Sequence, residues 1–298
     1  MSRRGTVAAP AHWAGGPTRP GHPANTAGEW YVDSRCIDCD ACRQLAPGTF
    51  VRRSGQTVVG RQPVDHEDPG VWRAAMTCPT QSIGTRSHHV RPRGLLPHEL
   101  DDGVFHLGYN SPDSFGANSW FARRPAGNVM VDSPRFTHRL ARPLAALGGV
   151  AHVLLTHRDD VADADRWAEH FGARVWVHED DADAAPYATD VLTGTGDTVI
   201  QPGLVAFPVP GHTEGSVVFV LDERFLFSGD SLAWDADLGD LVAWPGVAWY
   251  SWSEQVASLG RLAGAHRFEW VLPGHGGRAR RPADEMHRRL SALARRQA

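Results

Sequence analysis

Four cysteines are the residues best suited to chemistry in this sequence of 298 residues. Cys36, Cys39 and Cys42 are separated by two residues each, and Cys78, followed by Pro79, comes after 35 intervening residues. Three thiolates at this spacing can hold three corners of an iron–sulfur cubane, and a distant cysteine can close the fourth. A structural zinc site also takes four cysteines, but usually as two separated pairs. The spacing therefore favours one [4Fe–4S] cluster over zinc.

The stretch from about Glu29 to Arg86 resembles a single-cluster [4Fe–4S] ferredoxin. The resemblance is carried by Cys36-Ile37-Asp38-Cys39-Asp40-Ala41-Cys42 and by Cys78-Pro79-Thr80. Because this pattern uses all four cysteines, none remains for a disulfide, and the sequence predicts a cytoplasmic protein.

Histidines and aspartates follow predicted strands at four later points in the chain. They lie in the runs Leu154–Asp163, Pro210–Ser216, Phe227–Asp230 and Leu272–Gly276. Glycines beside these residues let the backbone turn tightly beneath a ligand, and imidazole and carboxylate groups together suit borderline metals. The sequence therefore predicts a metal site where these strands end.

The order of these runs resembles the metallo-β-lactamase superfamily over about residues 95–278. The resemblance implies a four-layer αβ/βα sandwich with the metal site at the strand ends. It implies that His157 and His212 bind a first metal, that Asp230 bridges, and that His275 binds a second metal. Asp132 corresponds to the structural aspartate of the family.

The first run departs from the family pattern His-x-His-x-Asp-His. Asp159 stands where the second histidine belongs, and without a gap Val161 and Ala162 occupy the last two ligand positions. A slip of two residues would instead bring Asp163 to the aspartate position. We therefore expect Asp159 to be a ligand, with Asp163 as a further candidate. Asp160 could equally cap the next helix. The number of metal ions, one or two, stays open.

A carboxylate in place of an imidazole favours iron or manganese over zinc, because oxygen donors suit harder ions. Members of the superfamily with His-x-Glu at these positions, the flavodiiron proteins, resemble this arrangement and carry iron. Carboxylates also ligate zinc, so zinc remains the alternative. The cofactors expected are therefore one [4Fe–4S] cluster and one or two iron ions, or zinc in their place.

Several elements must position these residues. Short apolar runs predict strands at Val104–Leu107, Asn128–Val131, Val153–Leu155, Leu204–Phe207, Val217–Val220 and Trp270–Leu272. Helical spacing appears at Arg135–Leu147, Asp160–Phe171, Ser253–Leu262 and Ala283–Arg296. In the cysteine-bearing stretch, Glu29–Asp33 predicts a strand and Glu67–Met76 a helix.

The expected fold class is α/β, a four-layer metallo-β-lactamase sandwich with a small N-terminal α+β ferredoxin-like domain. Residues 1–28 are rich in Gly, Pro and Ala and predict a flexible arm. Residues 29–92 form the [4Fe–4S] domain and residues 93–298 the lactamase-like domain in this prediction. Of the tryptophans that follow Asp230, Trp234 is expected to line a substrate pocket, although core packing is the alternative.

Composition excludes several classes of function. The net charge is −4, with both signs interspersed, so nothing indicates a nucleic-acid or membrane surface. No apolar run is long enough to span a bilayer, and because no apolar stretch follows the basic start, we expect no secretory signal peptide. All 30 basic residues are arginines, which excludes lysine-based Schiff-base and P-loop chemistry.

Two enzymatic hypotheses follow. In the first, an electron-donating reductase or ferredoxin reduces the cluster, which passes electrons to non-heme iron for O₂-dependent oxidation of a small molecule. Asp230 and Asp159 would then be the catalytic carboxylates. In the second, the protein is a zinc hydrolase acting on an ester, thioester or lactam, and the cluster is structural or regulatory. A non-enzymatic redox sensor or electron-transfer protein is a third hypothesis.

Overall fold

The computed structural model describes residues 20–65 and 67–297. The helices are α1 Ala41–Leu45, α2 Pro69–Thr77, α3 His138–Ala146, α4 Ala164–Phe171, α5 Trp252–Ala265 and α6 Ala283–Gln297. The first strands are β1 Trp30–Val32, β2 Phe50–Arg53, β3 Gln56–Val59, β4 Ile83–Thr85, β5 His98–Asp101, β6 Val104–His106, β7 Trp120–Ala122, β8 Val129–Val131, β9 His152–Leu154 and β10 Arg174–His178. The remaining strands are β11 Asp190–Leu192, β12 Thr198–Gln201, β13 Leu204–Pro208, β14 Val217–Leu221, β15 Phe225–Gly229, β16 Ala233–Asp235, β17 Asp240–Val242, β18 Trp270–Pro273 and β19 Ala279–Arg280.

Residues 20–85, here called the cluster unit, hold two small antiparallel pairs, β1 with β4 and β2 with β3, and helices α1 and α2. Helix α2 begins where Asp68 accepts a hydrogen bond from the Gly70 amide at 2.7 Å, and Pro69 occupies its first position. Trp30 and Trp72 meet edge to face, with ring centroids 4.9 Å apart, in the core of this unit. The predicted strand and helix of this stretch are present.

Part of the predicted flexible arm belongs to the cluster unit instead. Residues 1–19 lie outside the described residues, but residues 20–28 run along β1 and β3. The Asn25 side chain accepts hydrogen bonds from the Val32 and Val59 amides and donates to the Val32 carbonyl. Thr26 N also donates to the Val59 carbonyl at 2.8 Å. Composition could not indicate this, because a single asparagine makes most of the contacts.

Residues 98–297, here called the sheet unit, contain two large mixed sheets. The first has the strand order β11-β10-β9-β8-β7-β6-β5, with parallel pairing from β8 to β11. The second has the order β12-β13-β14-β15-β18-β19, in which β15 and β18 are parallel. The six apolar runs predicted as strands correspond to β6, β8, β9, β13, β14 and β18.

Three apolar layers hold the sheet unit together. Residues such as Val131, Leu154, Phe219 and Phe227 fill the space between the two sheets. Helices α3 and α4 cover the outer face of the first sheet, and α5 and α6 cover the outer face of the second. This arrangement is a four-layer αβ/βα sandwich, as the sequence predicted.

The two units share packing and backbone contacts. Met76 of α2 belongs to the apolar core of the sheet unit, and the Thr77 carbonyl accepts a hydrogen bond from the Asn110 amide at 3.1 Å. Residues 86–97 form the linker between the two units. No helix in the described ranges is long and apolar enough to cross a membrane.

Candidate metal centre and cluster site

The four cysteines of the cluster unit face one small cavity, which Val32, Ile37 and Ile83 also line. Positive φ values at Asp38 (58°) and Asp40 (72°) fold the Cys36–Cys42 segment into a tight turn.

Backbone amides point at two of the sulfurs. The Ser82 amide lies 3.3 Å from the Cys78 Sγ, and the Asp38 amide lies 3.4 Å from the Cys36 Sγ. Burial, together with the neighbouring thiolates, raises the pKa of Cys39 to about 12, so this thiol needs a cation to be held as a thiolate. Four convergent thiols, with backbone amide donors at two of their sulfurs, fit a [4Fe–4S] cluster.

Two groups of ligand atoms meet at the strand ends of the sheet unit. The first comprises His157, His212 and Asp230, and the second comprises Asp160, Asp230 and His275; within each group the ligand atoms lie within 4.8 Å of one another. Asp230 belongs to both. His157 follows β9 of the first sheet, whereas Asp230 and His275 follow the parallel neighbours β15 and β18 of the second. The groups therefore form where the two sheets end side by side.

A glycine makes room for the two carboxylates of the second group. A Cβ at Gly274 would lie 2.8 Å from Asp160 Oδ2 and 2.8 Å from Asp230 Oδ1. The glycine in the run Leu272–Gly276 thus allows the backbone to pass directly beside both ligands.

Hydrogen bonds fix the orientation of the two histidines of the first group. His212 Nδ1 donates to the Val247 carbonyl at 2.5 Å, and His157 Nδ1 lies 2.9 Å from the Thr156 hydroxyl. That hydroxyl lies 2.9 Å from Asp132 Oδ2 and donates to this buried carboxylate. Because the hydroxyl proton is directed at Asp132, His157 Nδ1 is the protonated ring nitrogen and donates a hydrogen bond to the hydroxyl oxygen. Both Nε2 atoms are therefore left as lone pairs, as metal ligation requires.

Three of these ligand atoms have no hydrogen-bond partner among residues 20–65 and 67–297. They are buried atoms, the Nε2 of His157, the Nε2 of His212 and the Oδ2 of Asp160. Buried polar atoms are rarely left unpaired, because desolvation without a partner costs free energy. Convergent unpaired donors fit a bound cation.

We expect Thr156→Val to lower metal affinity by about 10- to 100-fold, because the link from Asp132 to His157 is lost while the side-chain shape is kept. The measurement is a competition titration of the purified protein with a chromophoric chelator. Thr156→Ser keeps the hydroxyl and serves as the matched control. Equal affinities in the two variants would contradict this role for the hydroxyl.

The charged residues of the two groups shift one another's pKa values. Burial raises the pKa of Asp230, but the charge and hydrogen bond of His275, with the charges of the other histidines, hold it well below its usual range. Burial lowers the pKa of His275, yet the charge of Asp230 raises it to about 10. Burial and the nearby Asp230 raise the pKa of Asp160 well above its usual range. A cation between these carboxylates would relieve their repulsion.

The three aspartates after His157 have different positions. Asp160 lies 4.0 Å from His157 Nε2 because residues 158–160 form a 3₁₀ turn, in which positions i and i+3 eclipse. The Asp159 side chain is 53% exposed, with Oδ2 3.4 Å from His212 Nε2, so it borders the first group from the solvent side. The buried carboxylate, Asp160, thus lies one position before Val161, the residue that the ungapped comparison places at the aspartate position of the family.

Asp163, the other predicted candidate, lies outside both ligand groups. Its carboxylate accepts a hydrogen bond from the Phe136 amide at 2.6 Å and pairs with Arg166 at 3.2 Å. The backbone of Ala162 has a positive φ of 34°, which turns the chain away from the site before α4 begins. Asp163 therefore holds the start of α4 in place, and this corrects the expectation that it faces the metal.

Trp234 does not line the site either. It is 6% exposed and lies in the core between the second sheet and helices α5 and α6. Arg281 and Arg289 lie over its ring, 4.7 and 5.3 Å from the centroid. The expectation of a pocket tryptophan is corrected to Trp244 and Trp249, which are partly exposed beside the ligands.

One cavity of about 1190 Å³ joins the metal ligands to the cluster unit. Its walls include ligand-bearing residues, aromatic side chains and the turn that carries Cys39. The lining residues include Asp38, Cys39, Asp40, Phe115, Asp159, Asp160, His212, Asp230, Trp244, Trp249 and His275.

The sequence did not indicate the segment Ser111–Asn118, which contacts both sites. Both the amide and the side-chain amide of Asn118 donate to the Gly274 carbonyl, at 2.7 and 3.0 Å. His275 Nε2 lies 3.4 Å from the Phe115 carbonyl. At Gly116, with φ +87°, a Cβ would lie 2.8 Å from Cys39 Sγ. None of these contacts leaves a recognisable motif.

Sequence comparisons agree with this geometry. Residues 32–85 match the family described as the 4Fe-4S single cluster domain of Ferredoxin I, and residues 105–294 match the Metallo-beta-lactamase superfamily. The uncharacterized protein YmaE of Bacillus subtilis (strain 168) is 23% identical over 146 residues, or 47% of this chain. The chain spans about half the length of this curated relative, 53%.

Solved structures share the fold of the sheet unit. The DIM-1 metallo-beta-lactamase superposes with a TM-score of 0.50 at 18% identity, over 67% of this chain and 97% of that one. A metallo-beta-lactamase from Hirschia baltica gives a TM-score of 0.50 at 20% identity, over 66% and 96%. FIM-1 from Pseudomonas aeruginosa, in its mono-zinc form, gives 0.50 at 19%, over 66% and 93%. The chain belongs to the metallo-β-lactamase superfamily and carries a single-cluster [4Fe–4S] ferredoxin domain ahead of its lactamase fold.

Proposed function

We propose that this protein is an oxidoreductase whose ferredoxin domain supplies electrons to a non-heme iron centre that oxidises a small molecule with O₂. The observation that carries the proposal is the shared cavity, which Cys39 and the ligands Asp160, Asp230 and His275 all line. A cluster with only a structural role would have no need to face the metal site, and hydrolysis consumes no electrons.

The segment Ser111–Asn118 supports the same proposal, because it touches both sites within two residues. Gly116 contacts Cys39, and the carbonyl of Phe115, one residue earlier, faces His275. Two residues span at most about 7 Å of extended chain. A short path of one peptide group therefore separates a cluster ligand from a metal ligand.

We expect Gly116→Ala to slow electron transfer from the cluster to the metal centre by about tenfold or more. The new Cβ would lie 2.8 Å from Cys39 Sγ and 3.0 Å from Pro79 Cγ, so the two surfaces must separate. The rate is followed by rapid-freeze EPR of the reduced cluster.

Gly55→Ala is the matched control, because Gly55 has a similar φ of +82° but no atom within 4 Å of its added Cβ. It carries the same backbone strain without the collision. If both variants transferred electrons at the same rate, the path through Gly116 would be rejected.

The residues of the two ligand groups would bind the metal in this proposal. When bound, the iron supplies a redox-active Lewis acid. His157, His212, Asp160, Asp230 and His275 would hold it in a buried setting.

Other cavity residues would receive the substrate. Trp244, Trp249 and Phe115 offer partly exposed rings against which an apolar or aromatic small molecule can stack. The exposed Asp159 carboxylate can accept a hydrogen bond from that molecule and orient it. Such a site would act in the cytoplasm, where the thiols stay reduced.

The site favours iron because two buried carboxylates, Asp160 and Asp230, accompany three imidazoles, and the exposed Asp159 carboxylate borders them. We expect Asp159→His to raise the zinc-to-iron ratio of protein purified from medium containing both metals, since a nitrogen ligand beside His212 suits zinc. Elemental analysis of both proteins measures the ratio. A zinc-to-iron ratio that is unchanged or shifted toward iron would contradict a role for Asp159 in metal selection.

A zinc-dependent hydrolase is the second candidate, supported by the fold shared with metallo-beta-lactamases, one of them in a mono-zinc form. Iron, zinc and acid-labile sulfide analysis of anaerobically purified protein separates the two. About four iron and four sulfide with one or two further iron ions per chain supports the oxidoreductase. The same cluster with one or two zinc ions supports the hydrolase, and assays of ester, thioester and lactam hydrolysis would follow.

A further inference from the structure

Five arginines form a cationic surface where the linker meets α3. Arg91 and Arg93 belong to the linker, Arg135 precedes α3, and Arg139 and Arg142 lie one turn apart on it. We call this set the arginine surface. Between them its members line two adjoining cavities of about 530 and 290 Å³, which share Arg91 and Arg139.

Ion pairs within the described part of the chain leave the charge of four of these five arginines unneutralised. Four members have no carboxylate within ion-pair distance among residues 20–65 and 67–297, namely Arg93, Arg135, Arg139 and Arg142. Elsewhere on the sheet unit, the exposed Arg158 pairs with Asp183 and Arg174 pairs with Asp190. An unneutralised cationic surface on a chain of net charge −4 indicates a partner of opposite charge.

The arginine surface adjoins the cluster. Arg135 Nη1 lies 3.4 Å from the carbonyl of Pro79, the residue after Cys78. Gln81 lines the second cavity, and its amide donates to the Cys78 carbonyl at 3.2 Å. The Ser82 amide approaches the Cys78 sulfur itself. A protein bound over the second cavity would therefore rest against the turn that carries a cluster ligand.

We propose that the arginine surface docks an acidic one-electron carrier protein that reduces the cluster. The inference rests on the proposed function and adds the place and charge of the electron donor. The reduced carrier gives up one electron, the oxidised [4Fe–4S]²⁺ cluster accepts it and becomes [4Fe–4S]⁺, and no atom or proton is transferred. Opposite charges steer such an encounter and raise its rate.

The test uses the full-length protein with its cluster and reduced flavodoxin, an acidic carrier, as the probe. Stopped-flow absorbance follows bleaching of the cluster at low and high salt. We expect the rate to fall as salt rises, because screening weakens steering. The double variant Arg139→Glu/Arg142→Glu should react about tenfold or more slowly at low salt and depend little on salt.

Arg288→Glu/Arg295→Glu is the matched control, because both arginines are exposed on α6 and lie outside the arginine surface. It should react within about twofold of the unmodified protein. Dithionite should reduce the cluster of all three proteins at similar rates, which shows that the cluster itself is intact. An unchanged flavodoxin rate in the Arg139/Arg142 variant would overturn the proposal.

Loss of binding to a short single-stranded DNA in that variant, with an unchanged flavodoxin rate, would equally overturn it in favour of a nucleic-acid surface. This assay reads only cluster reduction, so its failure is distinct from failure of the proposed function. A metal centre that takes no electron from the cluster would leave the flavodoxin rates unaffected.

Discussion

Asp230→Asn should abolish or strongly weaken metal binding by both ligand groups. Asp230 is the one residue shared by the groups with His157 and His212 and with Asp160 and His275. The amide keeps the side-chain shape but removes the charge that a cation between these groups requires. We expect metal affinity to fall by more than the ~10- to 100-fold that loss of an outer hydrogen-bond partner costs. Chelator competition and elemental analysis measure this.

Asp113→Asn is the control for this variant, since Asp113 is an exposed carboxylate of the same cavity outside both groups. It should bind metal as the unmodified protein does. The [4Fe–4S] content should be equal in both variants, because neither substitution touches the cluster unit. Retention of metal by Asp230→Asn at unchanged affinity would show that the ligands have been assigned incorrectly.

Cys39→Ser should abolish sustained O₂ consumption with an external electron donor. Cys39 is a cluster ligand in the proposal and the cysteine that contacts Gly116, so its loss removes both the cluster and the path to His275. A metal centre reduced chemically beforehand should still complete a single turnover, because its own ligands are intact. An oxygen electrode measures the first rate, and rapid mixing with O₂ measures the second.

Thr80→Ala is the control, because Thr80 touches the Cys78 sulfur at 3.6 Å but leaves all four thiols in place. It should retain sustained turnover. A hydrolase would behave differently, since Cys39→Ser would leave its steady-state rate unchanged as long as the domain folds. That outcome would favour the second candidate function.

The sequence predicted the fold, and it singled out His157, His212, Asp230 and His275 of the two candidate ligand groups, because both leave local patterns. Apolar runs of strand length mark β9 and β18, and a glycine beside a histidine marks the turn at His275. The cysteine spacing is equally local, since three thiols on one turn need neighbouring positions.

The choice among the three aspartates was not predictable in the same way. It depends on the 3₁₀ turn over residues 158–160, which eclipses Asp160 with His157, and on the positive φ of Ala162. The apolar residues from Asp160 onward have helical spacing, so the sequence predicts a helix that starts at Asp160 and gives no sign of the 3₁₀ turn. The helix begins later, at Ala164, and Asp163 holds its start.

Contacts between distant segments could not be inferred at all. The approach of Gly116 to Cys39, the approach of Phe115 to His275 and the burial of Trp234 depend on how whole units meet. The periodicity of apolar residues in the sequence does not predict such contacts, because each of them involves single residues far apart in the chain.

Intramolecular electron transfer tests the central claim most directly. The cluster of anaerobic protein containing both metal sites is reduced by a single electron with photoreduced deazaflavin, and its EPR signal is followed over time. With the iron of the metal centre in its oxidised, ferric form at the start, we expect the signal to decay at a rate independent of protein concentration, because the cluster returns to [4Fe–4S]²⁺ as the ferric iron takes up the electron. Protein stripped of the second metal by a chelator is the control and should hold the signal. A signal equally persistent in both proteins would contradict the account.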